Sequence, residues 1–499
     1  MSANFHADMD PAKILWSDSS CYIARFEKSA AALIAVERTL AADSASYANE
    51  FRRLFKFIAE ASSEHFTQLW SDPVAYYWVR RAVHFLAVLQ GAPMNRIEHA
   101  YCAEVGAAGA ARALPIHLAD FKRFAVALAI LSDCDFSFAV PYTTTLPFAL
   151  PGTQLVISGS GSLSIRGINR GHIDATYQGK RVRFPIVDNA AASGSIPHVI
   201  HCLCVTVGNV TIPLNPALFR LPGLGLSSEW TEPAGDFQQL HSAALTDALA
   251  LVAKIQPQTF AQFPEGMQTL ALKPMREGSF SSLSSSELPG AFICSVPCDR
   301  YELAATLIHE FHHNRLFCIE EAGAFFEESG DDPIEGENHY SPWRDGPRPL
   351  HGLFHAVYVY VAVFRYWRAV LEQQCPDGIQ LGFAHDQLAR IPFQLRIGVN
   401  QLRRYAHYTS FGAKLFDQLA TDASVAEVQV RALGISIHAP AITLRANGLL
   451  RPELERPSGR HLSVGETLRR HLESRDPHRE CSEEKLILDR ALTSNRAST

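Results

Sequence analysis

The spacing of apolar and polar positions changes character several times along the chain. From about residue 28 to 135, runs such as RRLFKFIAEASSEHF and YYWVRRAVHFLAVL repeat apolar residues every three or four positions, which predicts helices. From about 150 to 215, short β-branched runs alternate with glycine, as in TQLVISGSGSLSIRG and HIDATYQGKRVRFPIV, which predicts antiparallel hairpins. Leu221 to Ser228 reads as a loop, Asp236 to Ile255 returns to helical spacing, Ala291 to Val296 is short and apolar like a strand, and Pro349 to about Asp422 is helical again. The last sixty residues mix both charges with Pro and Ser and read as a peripheral tail, in which Ser463 and Glu466 have the spacing that caps one short helix. The expected fold is α+β, mainly helical, in four parts: a helical region over 1–149, an antiparallel β region over 150–220, a helical catalytic region over 221–440 and a polar tail over 441–499.

Composition narrows the class of protein. A chain of 499 residues exceeds what one core usually holds, so two or three packed units are expected. With 47% hydrophobic and 19% charged residues the chain is an ordinary globular protein, and a net charge of −6 argues against nucleic acid as a partner. Ten scattered cysteines lack the dense spacing of a disulfide scaffold and read as free thiols; Cys294 and Cys298 are read as buried thiols rather than ligands. The start, MSANFHADMDPAK, has no signal-peptide pattern, and the longest apolar run, Leu353 to Phe364, is too short to span a bilayer. A cytoplasmic protein without a membrane partner is expected. The GSGS at Gly159 to Ser162 is read as a hairpin turn rather than a phosphate loop, because no Lys-Ser/Thr follows. Nothing here fixes an oligomeric state.

The chemistry concentrates in HEFHH. Asp299 and Glu302 have capping-box spacing, so a helix is expected from Arg300 through LIHEFHHNRL. His309 and His313 are then one turn apart on one face, where two imidazoles can share a divalent ion while Glu310 flanks its open positions. A bare HExxH is a short motif, but a capped apolar helix straight after a strand-like segment resembles the active-site helix of zincin-type enzymes. His312 is expected elsewhere, at the surface or behind the ligands.

A third ligand must come from further along. The metzincin continuation is absent, since Leu316 and Ile319 stand at its fixed positions. Glu320, about 10 Å along the axis from His313, cannot reach the same ion while the helix continues. Glu327, Glu328, Glu335, Glu337, His339, His351 and His355 follow. His355 is favoured because a lone imidazole in the apolar run HGLFHAVYVYVAVF needs a buried partner, which a metal or a backbone carbonyl would supply; His351 is the weaker candidate. Just before it, HYSPWRDGPRPL places Arg344 and Arg348 near a helix start at Pro349, a credible carboxylate site, unless both arginines pair with the acidic run from Glu327 to Glu337.

Together, LIHEFHHNRL and YSPWRDGPRPLHGLFHAVYVY resemble the HExxH-motif peptide-modification family, found alone or fused to maturases of ribosomally made peptides. The resemblance covers about 290–370 and extends to 220–420. It implies an iron(II)- and 2-oxoglutarate-dependent oxygenase that hydroxylates a precursor-peptide side chain at its β-carbon. It further implies His309, His313 and His355 as iron ligands, with Tyr340, Arg344 and Arg348 near 2-oxoglutarate. This chain differs at His351 and Ala356, where small, Gly-like residues are expected. The residues alone also admit a zinc metallopeptidase with Glu310 as general base and a glutamate such as Glu321, Glu327 or Glu328 as third ligand. A peptide-binding scaffold without catalysis is the third reading, disfavoured by the intact His-Glu-His set.

Overall fold

The computed structural model describes residues 10–437, apart from 42, 44, 92–99, 187–196, 216–217, 220, 222–236, 275–280, 297–298, 328–338, 344–347 and 374–377, and in the tail only 441–444, 450–451 and 462–463. The first third is helical: α1 (Pro11–Trp16), α2 (Ser20–Leu40), α3 (Ser46–Ala59), α4 (Ser63–Trp70), α5 (Pro73–Leu89), α6 (Ala100–Ala119) and α7 (Lys122–Leu131). Local chemistry sets several of their starts. Asp10 and Asp72 cap α1 and α5, each followed by a proline already held at a helical φ, and Ser62 caps α4.

An antiparallel sheet follows, with β1 (Phe136–Ala149), β2 (Leu155–Asn169), β3 (His172–Tyr177) and β4 (Lys180–Pro185) in sequential order and β5 (His198–His201) on the start of β2. The sheet therefore begins at 136, ahead of the expected boundary at 150. Pro141 and Pro147 disguise β1: neither can donate to a ladder, and both sit where the β1–β2 register slips. The GSGS stretch is not a turn but part of β2. Gly159 and Gly161, at φ 138° and 84°, let the strand bulge opposite the slip between Leu146 and Phe148.

β6 (Cys204–Val207) and β7 (Val210–Pro213) form a hairpin, followed by α8 (Phe237–Ile255) and the short α9 (Pro257–Phe260) and α10 (Phe263–Gly266). A second sheet then forms from β8 (Thr269–Lys273), β9 (Ser282–Ser284) and β10 (Ala291–Ser295), ordered β8-β10-β9, with β10 parallel to β8 and antiparallel to β9. The chain leaves β10 into α11 (Arg300–Ala322), and α12 (Leu350–Glu372), α13 (Gly378–Tyr405) and α14 (Ser410–Ala432) complete the helical second half. In the tail, β11 (Ala441–Leu444) pairs with β12 (Leu450–Arg451) and β13 (Leu462–Ser463); Ser463 ends a strand, and the helix expected after it lies outside the described residues. The architecture is α+β and mainly helical, as expected.

The second sheet divides two hydrophobic cores. Leu270, Leu272, Phe292 and Cys294 pack with α8 and α11–α14, whereas Ala271, Ala291 and Ile293 pack with α2–α7 and the first sheet. Alternation along a strand directs neighbours to opposite faces, and both faces being covered explains why LAL in β8 and AFIC in β10 are continuously apolar. Among the described residues, no helix is long and apolar enough to cross a membrane. Cys21, Cys134, Cys202, Cys204, Cys294 and Cys318 are free thiols, and burial pushes that of Cys294 up, as suits an inert core residue.

Candidate metal centre between two helices

The capping expected at Asp299 is present: its carboxylate accepts from the backbone N–H groups of Tyr301 at 2.6 Å and Glu302 at 3.1 Å. From that start α11 runs unbroken past the motif to Ala322, so Glu320 stays on the helix. His309, His313, Phe317 and Glu320 then share one face at helical spacing. α12 crosses this face in the opposite direction, its Tyr360 beside His309, its His355 beside Phe317 and its His351 beside Glu320.

The result is a continuous row of donors. His309 Nε2 lies 3.2 Å from His313 Nε2, and His313 Nδ1 lies 3.2 Å from His355 Nδ1. Beyond them, Glu320 Oε1 is 3.0 Å from His355 Nε2 and 2.5 Å from His351 Nε2. Glu320, His351 and His355 offer one ligand atom each, all within 4.8 Å of one another, so this triad can hold a metal ion. The structure thus lines up the three expected ligands His309, His313 and His355 as neighbours, His313 meeting His309 through Nε2 and His355 through Nδ1, but among the described residues the group whose ligand atoms converge is Glu320, His351 and His355. α12 connects Glu320 to the HExxH pair through His355.

The order of the row fixes where its protons sit. An ionised carboxylate only accepts, so His355 and His351 each donate an Nε2–H to Glu320. His355 is left with a lone pair on Nδ1, aimed at the HExxH histidines. A carboxylate behind an imidazole in this way fixes its tautomer and ring orientation. The titration directions agree. Burial raises the Glu320 carboxyl, yet His351 and His355 outweigh it and hold the group well below the usual range. Burial lowers His351, but Glu320 holds it above its ordinary value; at His355 burial wins and the ring is lowered.

Glu310 faces the other flank of α11. It is 2% exposed, accepts from the Ser282 hydroxyl of β9 at 2.5 Å, and its Oε1 stands 3.9 Å from His309 Nε2. Burial raises its pKa against the Ser282 and Ser284 hydroxyls, which lower it. His312 is not a surface residue: it is 4% exposed, bonds through Nδ1 to the Ile308 carbonyl at 2.8 Å, and is pushed down to about 3 by burial. Glu321 points away from the row, to Tyr76, Lys28 and Arg80, and Glu327 is exposed. Glu328, Glu335, Glu337 and Arg344 lie outside the described residues.

Around the row, Tyr340 and Trp343 are buried, and Trp343 stacks on Tyr360 at 5.2 Å. His339 pairs with Arg348 through backbone bonds of 2.7 and 2.9 Å. The Arg348 Nη1 donates to the Gly352 carbonyl at 3.1 Å, and its charge opposes protonation of both His351 and His355. Comparison with protein-family models found no match for this chain, and comparison with curated proteins found none either.

Proposed function

We propose that the chain is an iron(II)- and 2-oxoglutarate-dependent oxygenase that hydroxylates a side chain of a ribosomally made precursor peptide at its β-carbon. The observation that carries this reading is the row between α11 and α12. Four imidazoles and one carboxylate, with no thiolate, suit a non-haem iron(II) ion with open positions. His309, His313 and His355 would hold the ion. Bound iron with 2-oxoglutarate supplies the oxidation of an unactivated C–H bond, which no side chain provides. The chain's own residues do the rest. Glu320 keeps the proton on His355 Nε2, Phe317, Trp343 and Tyr360 border the row with aromatic surface that excludes water, and Arg348 with Tyr340 offers charge and a hydroxyl to a carboxylate. Glu310 ties α11 to β9.

Anaerobic loading with iron(II), followed by 2-oxoglutarate, air and candidate precursor peptides, tests this reading. Succinate should form together with a peptide heavier by one oxygen atom; peptide cleavage with zinc and no 2-oxoglutarate overturns it. A zinc hydrolase is the second reading, and Glu310 favours it: a buried carboxylate with a raised pKa near His309 is suited to act as a general base on water. In that case Glu310→Gln abolishes the cleavage.

A further inference from the structure

α13 grips the segment that precedes α12. Gln394 Nε2 donates to the Pro342 carbonyl at 2.9 Å, and Gly398 leaves room for Trp343, whose Cη2 would lie 2.7 Å from an added Cβ. Trp343 stacks on Tyr360, and Tyr360 meets His309 edge-on at 5.6 Å between ring centres. One turn before Gln394 stands Arg390, 6% exposed.

Its surroundings differ from those of the other buried arginines. Arg315 donates to three backbone carbonyls and to Gln262, Arg25 donates to the Pro289 carbonyl, and Arg81 pairs with Glu287. Among the described residues Arg390 donates only to the neutral Gln387 side chain, at 2.6 Å, its Nε has no partner, and no carboxylate lies within ion-pairing range. The ionisable groups that bear on it are Asp386, one turn back on the same helix, and Tyr360. Ser341 Oγ and Trp343 Nε1 on the gripped segment are likewise buried without partners. A buried guanidinium without an ion-pair partner is costly to keep, and the segment that α13 grips carries two further unused donors.

We propose that Arg390, with Ser341 and Trp343, forms a seat for the carboxylate of a ligand where α13 meets the segment that precedes α12. The guanidinium fork matches a carboxylate, and the indole N–H and hydroxyl add donors that a carboxylate can use. The seat adds Arg390, from a helix distant in sequence, to the Tyr340–Arg348 stretch, whose Arg348 already spends one Nη on a helix carbonyl. The carboxylate comes either from a free dicarboxylate or from an acidic residue of a bound peptide. The inference requires neither iron nor turnover.

The full-length protein, both chelator-treated and zinc-loaded, is titrated with succinate, with 2-oxoglutarate and with a short amide-capped glutamyl peptide. Binding by the wild type is expected, weakened about tenfold to a hundredfold in Arg390→Met and partly restored in Arg390→Lys. Tighter binding of the free acids assigns the seat to a small molecule, and tighter binding of the peptide assigns it to substrate. Should Arg390→Met fail to fold, Arg390→Lys against Ser341→Ala carries the comparison. Equal binding by wild type and the Arg390 variants, or no binding of any probe by the wild type, overturns the seat. Carboxylate binding that depends on Arg390 in a protein that never oxidises 2-oxoglutarate keeps the seat and removes the oxygenase.

Discussion

The two sides of α11 bury polar groups for opposite ends. On one side, Asn314 and Arg315 are used up by the backbone: Asn314 accepts from Gly290 N at 2.9 Å, and Arg315 donates to the carbonyls of Ile14, Leu15 and Asp18. His312 belongs to the same kind, bonded to its own helix and packed against Trp16 and Tyr358. On the other side, His309, His313 and Glu320 touch other titratable groups. Backbone partners lock a side chain into one state, whereas titratable partners leave lone pairs that a cation can claim. The contrast separates structural from functional histidines within a single motif, where HEFHH alone does not.

The largest effect expected is from His313→Ala, which removes the middle of the row. Bound divalent metal should fall to background by elemental analysis while the far-ultraviolet circular dichroism is kept; a metal content equal to wild type breaks the comparison. Arg315→Met should do the reverse, lowering stability to urea by about 3–5 kcal/mol because the carbonyls of α1 lose their buried partner, with the metal content of the folded fraction intact. Glu320→Gln keeps the shape but not the charge behind His355, and metal affinity should weaken by about 10- to 100-fold in a competition titration. Unchanged affinity would make Glu320 a structural partner only.

The smallest effect is on pH dependence, read at a backbone-bonded histidine far from the row. His117 stacks on Trp78, bonds to its carbonyl at 2.8 Å and is lowered by burial from 6.5 to about 4. Because the unfolded chain takes up that proton first, stability is complete above about pH 6.5 and declines as pH falls towards 4, by up to about 1.4 kcal/mol per pH unit. His117→Gln should flatten that part of the profile in urea titrations at stepped pH; an unchanged slope excludes His117 as its source.

Legibility followed the range of the interactions. α11 and its start were readable because Asp299, Glu302 and the apolar spacing act within a few residues. His355 was readable because an imidazole in an apolar helix signals a buried partner. Glu320 and His351 were not: their meeting depends on α12 crossing α11 antiparallel, which no local pattern records. The difference from the resembled family at His351 gains a physical content, since its ring now bonds the carboxylate behind His355. β1 was missed for another reason, two prolines at register slips that break the alternation by which a strand is recognised. For His312 the surface alternative fell because its neighbours in space, Trp16 and Tyr358, lie far away in the chain.

The sheet β8-β10-β9 has a consequence for how the molecule comes apart. Since successive residues of β8 and β10 serve alternate cores, neither half can lose its packing without exposing a wall of the other. The chain should therefore melt as one cooperative unit rather than as separable modules. A fragment cut at the change of texture near residue 220 would leave Ala271, Ala291 and Ile293 facing water, and the residues that carry the candidate metal centre would not be expected to survive as an excised domain.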